Sequence, residues 1–151
     1  MKAPWNFARF LPLAGRLLAR GRLPTLLFAV ASKGAREGGR LGKLKEDLRL
    51  LQALCLAYWR GEYRAVSAKS MLSVVAGLMY FLSPLDAIPD ILPMFGMFDD
   101  IAVLAWVMKT LDVELEAFRA WRYRQSPEKL AQVERLPDTP EQLRLQGQKK
   151  P

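Results

Sequence analysis

Apolar residues recur along this chain at three- and four-residue steps and never alternate over a useful length, so the pattern predicts helices and no sheet. Leu41, Leu44, Leu48, Leu51, Cys55 and Tyr58 form one stripe on a helix of about 18 residues, with Gly61 as its stop. A second helix is expected from about Arg64 to Leu82. The sixteen residues from Ser70 to Leu85, SMLSVVAGLMYFLSPL, carry no charge. At 1.5 Å per residue this run spans about 24 Å, short of a hydrocarbon core of about 30 Å. It is nevertheless too apolar all round for a surface helix. Ile101, Leu104, Met108, Leu111, Leu115 and Phe118 mark a third helix that continues to about Gln125, where SPEK ends it and opens a short helix. The first half of this third helix is apolar throughout and the second half is amphipathic. The chain is therefore expected to leave an apolar setting near Lys109.

The ends are less regular. Trp5, Phe7, Phe10, Leu11, Leu17 and Leu18 alternate with arginines, and Pro12 and Gly15 interrupt them. This stretch reads equally as a short amphipathic surface helix or as a flexible basic arm. Pro24 suits the first position of another short helix running toward Arg36. GAREGGRLG reads as a loop, and PDTPEQLRLQGQKKP as a disordered tail. The predicted organisation is all-α. Residues 1–40 are a basic N-terminal arm with short amphipathic helices, and 41–125 a helical domain with an apolar hairpin core at 65–110. Residues 126–151 are a short helix and tail.

Charge sharpens this picture. The net charge of +8 lies almost entirely in the first 36 residues, which hold seven basic residues and no acid. Arg9, Arg16, Arg20 and Arg22 are the candidate lipid-facing cations, because basic flanks beside apolar segments favour an anionic membrane surface. LPTLLFAVASKG is short for a leader's apolar region and follows an unusually long basic stretch, so cleavage is not expected; the Arg-rich, acid-poor start also fits an organelle presequence by composition alone. With no histidine, the chain has no Ser-His or Cys-His pair and no histidine metal site. Cys55, the lone cysteine, falls on an apolar stripe and reads as packing. No phosphate-binding glycine loop or nucleic-acid motif is present, so an enzyme is not expected and nucleic acid is disfavoured as a partner.

The segment YFLSPLDAIPDILPMFGMFDD, Tyr80 to Asp100, places four aspartates and three prolines in the most apolar part of the chain. Ser83 and Pro84 can start a new helical turn, with Asp86 at capping-box spacing. Pro89 closes that turn, Pro93 prevents a long helix, and Gly96 permits a bend. Asp99 or Asp100 can cap the third helix. Each aspartate thus has a structural role at a turn or helix start. As a set, four ionised and buried carboxylates would repel one another. They must be solvated, protonated, hydrogen-bonded to N–H groups, matched by distant arginines or bound to a cation such as Mg²⁺ or Ca²⁺. The loop lacks EF-hand spacing, so no cofactor is expected, with the cation site left as an alternative.

These residues resemble the signature of the YkvA-like family, a small domain of unknown function found in bacteria and archaea. The shared pattern comprises Tyr80, Ser83, Pro84, Asp86, Ile88, Pro89, Asp90, Pro93, Gly96, Asp99 and Asp100. Ala87 and Met94 stand where larger aliphatics are usual. The resemblance covers about Ser67 to Met108 and implies an α-helical, membrane-associated bacterial protein with no established reaction.

The function expected from these features is a structural or scaffolding membrane hairpin. Arg60, Arg64 and Lys69 lie before it, and Lys109, Arg119, Arg122 and Arg124 after it. By the positive-inside rule both termini would be cytoplasmic, at a bacterial inner membrane. Partners would be the lipid bilayer and either a second copy or another membrane protein. The alternative is a soluble or peripheral helical module that binds anionic lipid through its basic N-terminus.

Overall fold

A computed structural model describes residues 7–36, 42, 44–87 and 104–148. All regular structure among them is helical: α1 Phe7–Ala19, α2 Leu23–Arg36, α3 Leu44–Trp59, α4 Ala68–Ala87, α5 at 104–110, α6 Asp112–Arg124, α7 Pro127–Glu134 and α8 Pro140–Gln148.

Sequence chemistry explains most of the boundaries. Gly21 and Gly61 hold φ of +66° and +77°, in the left-handed region that glycine enters without a Cβ clash. Each ends a helix through the same pair of backbone bonds. Gly21 N–H donates to Leu18 at 3.1 Å and Arg22 N–H to Leu17 at 3.0 Å. Gly61 and Glu62 repeat this on Tyr58 and Ala57, at 3.1 and 2.9 Å. Both are Schellman turns, which satisfy carbonyls that a helix end would leave open. Ser67 caps α4 by accepting from Ser70 N–H at 3.1 Å, and Ser126 caps α7 by accepting from Lys129 N–H at 3.1 Å. α5 and α6 meet at Leu111, where the backbone bends to φ −101°, ψ 23°. Helical hydrogen bonds persist on both sides, Leu111 to Val107 and Leu115 to Leu111, so the third apolar stripe stays continuous.

The core forms around α3 and α4. α3 is buried well beyond its expected stripe, because Leu50, Ala53, Leu54, Leu56 and Ala57 are covered as well as Leu48, Leu51 and Cys55. It packs against α2, α4 and α7, while α4 packs against α1, α2 and α3. Met71, Val74, Val75, Ala76, Leu78 and Phe81 on α4 are fully covered by the chain itself. No helix among the described residues is long and apolar enough to cross a membrane.

Three elements differ from the sequence-based expectations. α1 runs unbroken through Pro12 and Gly15, and its Ala14 joins Leu23, Leu27 and Val30 of α2 in the same core as α3 and α4. Gly15 faces Leu72 of α4, where a Cβ would meet that side chain at 3.8 Å, an ordinary contact. Ser83 and Pro84 do not begin a new turn; α4 continues through them to Ala87. Pro84 offers no N–H to the Tyr80 carbonyl, so the helix forgoes one backbone bond there. The C-terminal segment read as disordered forms α8, whose Leu143 is fully buried. The rest of the expected hairpin turn lies outside the described residues.

Candidate functional site

Of the motif residues, Ser83, Pro84 and Asp86 belong to the last turn of α4. Pro89, Asp90, Pro93, Gly96, Asp99 and Asp100 lie outside the described residues. Among the described residues no three Cys, Asp or Glu side chains are grouped to hold a metal ion.

The last turns of α4 meet an unexpected cation. Lys33, near the end of α2, is 4% exposed, and its ammonium donates to the Phe81 carbonyl 48 residues away. The same nitrogen lies 4.5 Å from the centre of the Phe81 ring. A buried lysine is rare unless partnered, and here both the carbonyl and the ring face favour its charge. The aspartate–proline segment therefore begins two residues beyond a carbonyl held by a buried cation. The sequence did carry a signal of this. Leu23, Leu27, Val30 and Lys33 step by four, three and three, which puts the lysine on the apolar stripe of α2.

The base of α4 is tied to α6. Ser70 is buried, and its hydroxyl donates to Glu114 at 2.5 Å. Tyr63, just before α4, packs its ring 5.0 Å from Phe118 and 5.2 Å from Trp121. Its phenol is pushed above the ordinary range, mostly by burial and then by the Glu114 carboxylate.

The basic residues divide into two groups. Arg60 is half-buried and engaged within the chain. Its guanidinium donates to the Gln132 and Arg135 carbonyls at 3.1 and 2.6 Å, to the Val133 carbonyl, and to the Gln146 side chain at 2.8 Å. It thereby closes the C-terminal end of α7 and holds α8. Burial, followed by the nearby Arg135, lowers its pKa. Arg122 is likewise engaged, with Glu134 at 2.6 and 2.9 Å. These two are not free membrane flanks. Arg16, Arg20 and Arg22, by contrast, are exposed, and Arg9 belongs to the same helix as Arg16. Leu13 and Arg16 are three residues apart and share one face of α1, and Arg20 lies in the turn just beyond its end. Leu13 is 41% exposed there, which leaves an apolar side chain among cations. Arg20 and Arg22 flank Gly21 and meet Arg144 of α8 around a cavity of about 400 Å³.

A family model described as "Protein of unknown function (DUF1232)" matches residues 70–106, which span α4, the motif and the start of α5. The "Uncharacterized membrane protein YkvA" of Bacillus subtilis is 32% identical over 95 residues, covering 59% of this chain and 90% of the relative. The chain belongs to the YkvA family. No solved structure matches it. The match to the family model begins at Ser70, so Lys33 and the arginines at 16, 20 and 22 precede the part that defines it. Neither the family description nor the relative's name states a reaction.

Proposed function

We propose that this protein is a helical module that binds the cytoplasmic surface of the bacterial inner membrane, with a scaffolding role and no catalytic one. One observation carries the reading. The apolar helix α4 is covered by the chain's own α1, α2 and α3, while α1 and the turn after it expose Leu13, Arg16 and Arg20 from a segment that contains no acid. Such a face suits the boundary between headgroups and acyl chains, where arginine meets anionic phosphate and leucine meets hydrocarbon. In this reading Asp86, Asp90, Asp99 and Asp100 shape the reversal after α4 and need no bound cation.

A second reading follows from the uncharged run Ser70–Leu85 and from the relative's description as a membrane protein. In it α4 and α5 enter the bilayer as a hairpin, with both termini cytoplasmic. Fractionation of cells making the tagged full chain separates the two. Surface binding predicts recovery with membranes at low salt and release by high salt or alkaline carbonate. Retention after carbonate would overturn surface binding and favour the hairpin. Recovery in the soluble fraction at low salt would overturn both.

A further inference from the structure

We infer that the cavity between the α1–α2 turn and the start of α8 is a binding site for a phosphate group, presented by an anionic lipid headgroup. The inference rests on the surface-binding reading and gives it a defined contact. The cavity measures about 400 Å³ and is lined by Arg20, Gly21, Arg22, Thr25, Glu141 and Arg144, with two prolines at its edge. That volume lies within the usual range for small-ligand sites, about 300–1,000 Å³.

Three arginines line the cavity against one glutamate. Glu141 is already paired with Arg144 at 2.5 Å, which leaves Arg20 and Arg22 as the larger share of uncompensated charge. Arginine suits this task because its planar fork matches phosphate oxygens two at a time. The positions are set by backbone and not by chance side-chain placement. Gly21 fixes the Schellman turn that separates Arg20 from Arg22, and α8 is held by Trp59 and Arg60. Arg22 stands immediately before α2 and has no acceptor with which to cap it, so the positive end of that helix adds to the field. The surroundings suit a lipid source. Leu13 and Leu145, two of the four exposed large apolar residues among those described, belong to α1, which ends just before Arg20, and to α8, which carries Arg144.

The test compares the full chain with the double variant R22Q/R144Q and with a control, R119Q/R124Q, which removes two charges elsewhere. Cosedimentation uses vesicles of phosphatidylcholine alone or mixed with phosphatidic acid. A second arm titrates soluble glycerol phosphate and follows thermal melting. Removing two arginines that touch the surface should weaken vesicle binding about 25-fold, since each contributes about fivefold, while the control changes less than about twofold. Glycerol phosphate should raise the melting temperature of the parent chain and not that of R22Q/R144Q. Wild-type failure both to bind the anionic vesicles and to respond to glycerol phosphate would overturn the site and the surface-binding reading together. Wild-type binding that R22Q/R144Q retains would overturn the site alone. A response to glycerol phosphate without vesicle binding would overturn the lipid source and assign the cavity to a soluble phosphate ester. Unchanged melting of both variants without ligand checks that they fold.

Discussion

The ammonium of Lys33 on α2 donates to the backbone carbonyl of Phe81 on α4 and lies over the ring of the same residue. One buried charge thus joins the N-terminal helices to the turn that leads into the motif. Replacing Lys33 with alanine removes a charge-assisted bond and opens space beside Phe81. The expected loss is ~2–3 kcal/mol, read from the urea midpoint. K33R, which keeps the charge but carries a larger head, should recover only part of it.

α8 should be the first helix to detach when its anchor is weakened. The Trp59 indole donates to the Leu143 carbonyl at 2.6 Å, and Arg60 reaches Gln146. W59F keeps most of the ring but loses the donor, at a cost of ~1 kcal/mol. L143A empties a fully buried site and should cost about 2–5 kcal/mol. Hydrogen exchange would show faster exchange across 140–148 in W59F, with α3 and α4 still protected.

Cys55 should be inert to thiol reagents in the native state. It is fully buried, and burial pushes its thiol up to about 12. The neutral thiol is favoured in the fold, so its contribution is complete below the unfolded value of 9.0 and is lost as pH rises through the folded value. Stability should therefore fall between pH 9 and about 12. C55A should fall less steeply, the remainder coming from groups such as Tyr63, whose phenol is shifted in the same direction. Urea titrations at stepped alkaline pH would measure both slopes.

Gly21 ties stability to the arginine cavity. G21A forces a Cβ into the left-handed region at φ +66° and should cost ~1–2 kcal/mol. Because the same turn spaces Arg20 and Arg22, the variant should also bind anionic vesicles less tightly at temperatures where it remains folded. An unchanged vesicle affinity would show that the spacing is unimportant.

Local signals predicted the middle of the chain well. The stripe from Leu44 to Tyr58, the stop at Gly61 and the Ser126-Pro127 start of α7 are each written in a few neighbouring residues. What escaped was set by distant partners. α8 carries a capping signal, because Thr139 accepts from Gln142 N–H at 3.2 Å and Gln142 reaches back to Asp138 N–H at 3.0 Å. Its polar composition hid that signal, and the segment is held by Trp59 and Arg60, by the burial of Leu143 and by packing on α2. Lys33 was hidden for a similar reason. A search for cations near the aspartates along the sequence could not find one contributed from 48 residues before Phe81. Composition also suggested a separate basic arm at 1–40, but composition does not reveal that Ala14, Leu27 and Val30 pack against α4.

The sheathing of α4 has a consequence for any passage into a bilayer. Val74, Leu78 and Phe81 already sit among hydrocarbon side chains, and lipid tails are about as apolar as leucine. Exchanging one set of neighbours for the other would therefore be close to neutral for those side chains. The obstacle would be mechanical: α1 and α2 must peel away first, and Lys33 must release the Phe81 carbonyl as they go. That single ammonium would act as the latch of the sheath.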